Sequence, residues 1–247
     1  MMQYNPQEVF RALDNIDVRV LIGLALACAG YYVQYVANIR TGFRDRKHAT
    51  PVAANMWNFA DDLTYVLMFD RWFNDERYSH WFTHAMWFGL LAWVVMETIT
   101  HYQTIKYSLA DLFPGLSRPH ALGLYVGCQL SLLGVFVFLV ATLDDPLWLV
   151  MFATTQFTSV AFYIPMLLSR GNTRGISSVS ASALVVAPPA FIFLFLPAVA
   201  PGFNRWPTYV FGIACAGIAI AYYFLLAGYR RRNTASHLLV SAPQAAI

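Results

Sequence analysis

The residues best equipped for chemistry are two adjacent aspartates set in an apolar run, Asn55-Met56-Trp57-Asn58-Phe59-Ala60-Asp61-Asp62-Leu63-Thr64-Tyr65. If this run crosses a membrane, each ionisable group costs on the order of 2.5–3.5 kcal/mol to insert, so its presence marks function by default. On a helix Asn55, Asn58 and Asp62 share a stripe at i, i+3 and i+7, with Asp61 one step round. Lipid cannot solvate that stripe, so it must face a bundle interior or a wet cavity. A polar seam gluing helices would account for the asparagines, but two neighbouring carboxyls exceed what glue needs. Side by side and out of water they do not both ionise readily, which leaves one as a Brønsted acid near neutral pH.

Other polar groups allow both a chemical and a bland reading. Glu97 has His101 at i+4, either a functional pair or an interfacial pair that snorkels. His80 and His84 are also i, i+4, a spacing that can hold a metal or haem. No H-E-x-x-H pattern accompanies them, and Trp81 and Trp87 mark the segment as interfacial, so no metal site is expected. Thr154, Thr155, Gln156, Thr158, Ser159 and Tyr163 read as polar contacts joining helices. Cys28, Cys128 and Cys215 lie in apolar stretches and behave as small hydrophobes.

The elements that must position these groups follow from composition. Of 247 residues 58% are hydrophobic and 12% charged, with a mean hydropathy of +0.50. A soluble domain carries roughly 25% charged residues. The class is an all-α polytopic membrane protein forming one domain. Seven apolar segments stand out, at about 18–38, 51–69, 82–100, 121–143, 147–168, 180–200 and 207–229, with a tail over 230–247. Each is near the ~20 residues a helix needs to cross a ~30 Å hydrocarbon core. Residues 1–17 carry Glu8, Arg11, Asp14 and Asp17, unlike the basic start of a signal peptide. Pro188, Pro189 and Pro197 should interrupt the sixth span and widen a central space. The formal net charge of +3 makes no case for nucleic acid.

Basic residues set the expected orientation. Eleven fall in the loops after spans 1, 3 and 5 and just past span 7, among them Arg40, Arg44, Arg46, Lys47, Arg170, Arg174 and Arg230; five fall on the other side. That bias predicts an N-terminus outside and a C-terminus in the cytoplasm. Short loops and the lack of a targeting signal favour a bacterial plasma membrane over the endoplasmic reticulum. The ends of spans 1 and 5 also resemble each other. Tyr35-Val36-Ala37-Asn38-Ile39-Arg40 and Tyr163-Ile164-Pro165-Met166-Leu167-Leu168 each lead into a short basic turn. A 3+1+3 arrangement of parallel repeats would make those two spans equivalent.

Tyr35-Val36, then Phe43-Arg44-Asp45-Arg46, then Asn58-Phe59-Ala60-Asp61-Asp62-Leu63-Thr64-Tyr65 resembles the fungal integral-membrane terpene cyclases, the small paxilline-cyclase-like enzymes of meroterpenoid and indole-diterpene pathways. Their motif runs Tyr-Val, Phe-Lys-Glu-Arg, then Asn-Ile-Ala-Trp-Glu-Ile-Val-Tyr. The register places the family's essential span-2 glutamate at Asp62. Leu167-Leu168-Ser169-Arg170-Gly171-Asn172-Thr173-Arg174-Gly175 is similar to the family's Leu-Leu-Ser-Arg-x-x-Thr-Arg-Gly. The resemblance implies seven spans and an isomerase that needs neither metal nor cofactor. An acid protonates an epoxide or alkene of a lipophilic prenyl chain, a carbocation closes rings, and a base removes the last proton. It implies Asp62 as the acid, with Asp61 or Glu97 as second carboxyl, since residues 207–229 lack the family's last-span aspartate. Asn55, Asn58 and Tyr65 would orient carboxyl or substrate, and Trp57 and Trp93 would face the cation.

A second reading is a small transporter of the PQ-loop or sugar-transporter type. Seven spans, the possible repeat and Pro165 with Thr173-Arg174-Gly175-Ile176-Ser177 suit it, with Asp62 as a proton-coupling site. The first repeat has no Pro-Gln at Val33-Gln34, and a paired acid exceeds what a sugar site requires. The absence of lysine from span 7 excludes a retinal Schiff base there. A closed apolar pocket would favour a cyclase; a polar pocket open to each side in turn would favour a transporter.

Overall fold

Asn5 and Pro6 start a short amphipathic helix, α1 (Pro6–Asp14), whose Val9, Phe10 and Leu13 are buried. It opens a computed structural model that describes residues 4–15 and 17–240, with residues 233–240 given by backbone alone. Asp17 then caps the first long helix by accepting from the backbone N–H of Arg19, and α2 (Val18–Asp45) runs for 28 residues. After α3 (Val52–Leu67) and α4 (Phe69–Phe73), His80 caps α5 (Trp81–Tyr107). The short α6 (Leu109–Leu112) leads to α7 (Arg118–Thr142), which has Pro119 in its first turn, where a missing N–H costs nothing. The remaining helices are α8 (Leu149–Ala161), α9 (Tyr163–Arg170), α10 (Ser178–Pro189), α11 (Leu196–Val199) and α12 (Trp206–Val240). No strand occurs among the described residues.

Six stretches are long and apolar enough to cross a membrane: α2, α5, α7, Leu149–Arg170, Ser178–Val199 and Trp206–Arg232. The protein is therefore an integral membrane protein. The second expected span falls short. Helix α3 has 16 residues, which at 1.5 Å per residue gives roughly 24 Å against a ~30 Å core. The helix ends at Met68, whose backbone (φ −86°, ψ 35°) leaves helical geometry before α4 begins; Asn55, Asn58, Asp61 and Asp62 are all buried, and α3 packs against α5, α7 and α8. The last helix continues past 229 to Val240, into the expected tail; residues 241–247 lie outside the described residues.

Prolines shape the other departures. Pro165 cannot donate to Ala161, and the fifth span breaks at Phe162 into α8 and α9. After Pro188 and Pro189 the sixth span passes into a π-helical turn, Ala190–Phe195, which re-aims its aromatic side chains. The first span lies tightly on this segment. A Cβ on Gly23 would sit 2.7 Å from the Phe195 backbone nitrogen, and one on Gly30 2.7 Å from Ala187 Cβ. Glycine lets α2 approach closely, by the small-residue packing that membrane helices use.

Candidate active site

Helices α2, α3, α5 and α8 and the π-helical turn line a shared cavity. Its walls are mostly apolar: Leu24, Ala27, Cys28, Met86, Leu90, Phe152 and Phe191, with the indole of Trp93. A polar arc crosses it. Tyr31 and Tyr35 come from α2, Asn58 and Asp62 from α3, and Gln156 and Ser159 from α8.

Within the arc nearly every polar group is engaged. The Tyr31 hydroxyl donates to Gln156 Oε1 at 2.6 Å. Asn58 Nδ2 donates to Ser159 Oγ at 3.0 Å and reaches the Tyr35 oxygen at 3.4 Å, while Thr158 Oγ1 donates to Asn58 Oδ1 at 3.2 Å. The Tyr35 hydroxyl donates to Glu97 Oε1 at 2.6 Å. Asp62 is the exception: its carboxyl lines the cavity and makes no hydrogen bond to any described residue. A carboxyl without a protein partner and with a ligand space before it has its oxygens available to a substrate.

The two aspartates, expected side by side at one site, point apart. Asp61 is fully buried away from the cavity and accepts from Trp148 Nε1 at 2.6 Å, leaving its Oδ2 without a partner. Successive residues on a helix diverge by about 100°, so one carboxyl enters the chamber and the other enters the packing behind it. Tyr65 follows Asp61: its ring stacks on Trp72 at 4.3 Å, and its hydroxyl meets the Thr83 carbonyl at 3.5 Å, outside the cavity lining. Trp57 also lies outside the lining, edge-on to Phe136 at 4.9 Å. Asn55 supports α5 from behind, reaching the Glu97 carbonyl at 3.4 Å and accepting from Thr100. Of the expected residues, the structure thus gathers Asp62, Asn58 and Trp93 around one space, with Glu97 reached through Tyr35.

Glu97 does not snorkel. It is 0% exposed, its Oε2 has no partner, and His101 bonds instead to the Tyr125 hydroxyl at 2.6 Å. The histidines of the third span also have structural partners. His80 Nδ1 caps α5 and its Nε2 meets Asp14 at 3.2 Å, while His84 stacks on Phe73 at 4.4 Å. Tyr31, Tyr35, Gln156, Ser159 and Phe191 line the site although composition and spacing gave them no role there. The tyrosines at i, i+4 and the hydroxyl-rich fifth span were the available signal.

Fold and cavity together define a polytopic helical membrane protein built around a carboxyl-bearing, aromatic-walled chamber. The chain belongs to the Pyr4-like transmembrane terpene cyclases, whose family model matches residues 2–232. It is accordingly a membrane terpene cyclase of the fungal type, embedded in the bilayer and acting on a lipophilic terpenoid. No curated protein and no solved structure matches the chain at a significant level.

Proposed function

We propose that the protein is a proton-initiated cyclase with Asp62 as the general acid. One observation carries this reading: the Asp62 carboxyl lines an apolar, aromatic-walled cavity and has no hydrogen-bond partner among the described residues. The Asp62 O–H protonates the epoxide oxygen or terminal alkene of a prenyl chain, and the resulting cation is attacked by successive alkene π bonds. Trp93 presents an indole to that space, and aromatic faces stabilise cations. Dry walls keep water from quenching them.

The last step needs a base, and residues 206–232 hold no acid. Tyr35 is the cavity-facing oxygen that can take the final proton while its own passes 2.6 Å to Glu97. The electrons of the broken C–H bond become the product alkene. Once product has left, Glu97 gives up its proton and the Asp62 carboxylate regains one by exchange with water, so substrate and product are isomers and the enzyme is reset. Glu97 therefore acts through Tyr35, and Asp61 serves the packing beside them. The apolar walls favour this chemistry over solute transport, which the family membership also disfavours.

The finer architecture belongs to the same reading. Helix α3 with α4 makes the seventh crossing, the arginine-bearing ends face the cytoplasm, and the chain is a 3+1+3 repeat. The helix contacts support the repeat: α2 packs on α5 and α10, α8 packs on α12 and α3, α3 packs on α5, and α10 on α12. These pairs interchange when spans 1, 2 and 3 are swapped for 5, 6 and 7.

The test uses membranes bearing the wild type or the Asp62→Asn variant, incubated with epoxidised and plain prenyl compounds and read by mass spectrometry and NMR. Cyclised product from the wild type alone is the expected result. Equal product from both would remove Asp62 from the mechanism. Saturable, proton-dependent solute uptake without any prenyl turnover would restore the transporter.

A further inference from the structure

Two sequence blocks, Phe43–Arg46 and Leu167–Gly175, lie away from the chamber yet converge on each other. The Gly175 backbone N–H donates to Asp45 Oδ2 at 2.8 Å, and Arg174 Nε donates to the Asp45 carbonyl at 3.1 Å. Arg170 reaches across to the His48 carbonyl at 2.7 Å. The junction frames an open cleft lined by Arg44, Arg46, Arg174 and Arg230 around a single carboxylate, Asp45. That carboxylate is already taken by Arg44 at 2.7 Å and by Gly175. The cleft is therefore strongly cationic.

Arg46 adds an independent sign. It ends α2 at φ 50°, a left-handed conformation that glycine or asparagine adopts far more readily than arginine. Its guanidinium is exposed and makes no hydrogen bond to a described residue. A costly backbone conformation kept for a side chain with no internal partner points to an external one.

The shape of the neighbouring surface says what kind of partner. An open groove runs between α2 and α10 and shares Arg44 with the cleft. Its walls include Val33, Val36 and Val179, all about half exposed, and Arg40 lies between the valines and Arg44. On α2 the positions 33, 36, 40 and 44 form one helical stripe that changes from apolar to basic towards the helix end. An apolar trough opening onto arginines at the end of a membrane-spanning helix matches an anionic amphiphile, with the phosphate meeting planar guanidinium forks.

We propose that this junction is a binding site for an anionic phospholipid of the surrounding bilayer. Its phosphate lies among Arg44, Arg46 and Arg174, and one acyl chain lies along the α2–α10 groove. The site is separate from the chamber and does not depend on the cyclase mechanism.

The experiment uses the full chain in nanodiscs of phosphatidylcholine with or without phosphatidylglycerol. Bound lipid is counted by native mass spectrometry after release, and the thermal midpoint is followed in parallel. Phosphatidylglycerol should be retained over phosphatidylcholine and should raise the midpoint. Arg44→Gln with Arg174→Gln removes two charges but also loosens Asp45, so Arg46→Gly is the cleaner variant. It deletes the guanidinium and suits the left-handed backbone. It should lower the phosphatidylglycerol preference about fivefold, the weight of one arginine near an anionic surface, while the protein in phosphatidylcholine becomes no less stable. Arg205→Gln, at the opposite end, should leave the preference intact. Equal retention of both lipids overturns the proposal, as does an unchanged preference in Arg46→Gly. Inorganic pyrophosphate raising the midpoint of lipid-free protein in detergent as much as phosphatidylglycerol does would assign the cleft to a free phosphate compound instead.

Discussion

The chamber around Asp62 and the aromatic knot around Asp61 grow from the same turn of α3, yet they treat a buried carboxyl in opposite ways. In the knot Asp61 is held by the Trp148 indole at 2.6 Å, and Trp148 packs edge-on to Tyr65 and Trp72. In the chamber Asp62 has no protein partner, although asparagine, serine, glutamine and two tyrosines surround the same space and bond among themselves. Burying an unpaired polar group costs about 1–3 kcal/mol. Asp61 bears that cost at Oδ2, which has no partner in the packing, whereas the Asp62 carboxyl faces a space that a ligand can fill. Adjacent identical side chains thus enter different surroundings, and the proposed mechanism gives chemistry to Asp62 alone.

The largest effect should come from removing the chamber acid. Asp62→Asn is expected to lower turnover by about 10³-fold or more, within or beyond the range of general acid catalysis, with an unfolding midpoint close to that of the wild type. Next come Tyr35→Phe and Glu97→Gln. Both should lower formation of the native product by about 10–100-fold and divert the remainder to other alkene isomers or water-quenched alcohols, visible by mass spectrometry. Loss of substrate consumption itself, with product pattern unchanged, would place the dyad at initiation instead.

Asp61→Asn and Trp148→Phe probe the knot. They should destabilise the protein by about 1–3 kcal/mol yet leave turnover per folded molecule within a few-fold of the wild type. The comparison breaks if Asp61→Asn abolishes turnover while the thermal midpoint is unchanged. A smaller effect is expected of Trp93→Leu. Loss of one cation-facing indole is worth about 0.5–2 kcal/mol, seen as a slower cyclisation and more early-quenched product.

Much of this was legible in the chain itself. Apolar length located the six long spans, and the cost of burying charge singled out α3 and Glu97. The resemblance at Asn58–Tyr65 selected Asp62 over Asp61, and the geometry of a helix explains why only one of the two enters the chamber. What stayed illegible depends on partners distant in sequence. Tyr35 and Glu97 are 62 residues apart, and Tyr31 and Gln156 125. No periodicity on a single helix reveals such pairs. Phe191 was hidden for another reason: Pro188 and Pro189 announce a disturbance, but a π-helical turn rather than a break decides where the ring points.

The arginine-bearing end gives a third case and the smallest prediction. His48, between α2 and α3, is buried, with its backbone N–H donating to Ser108 and its carbonyl accepting from Arg170, while Nδ1 has no partner. Burial, then repulsion from Arg170 and Lys47, pushes its pKa from 6.5 down to about 3. The unfolded chain therefore binds a proton that the folded chain refuses. Stability held above pH 6.5 is lost as pH falls towards 3, by about 1 kcal/mol for each pH unit. His48→Gln removes that slope. Thermal midpoints measured from pH 7.5 to 5 should fall for the wild type and flatten for the variant, with the chamber's product pattern unchanged at each pH. A slope that survives in His48→Gln would move the acid sensitivity elsewhere in the bundle. A product pattern that shifts in step with His48 would instead couple this end to the chamber.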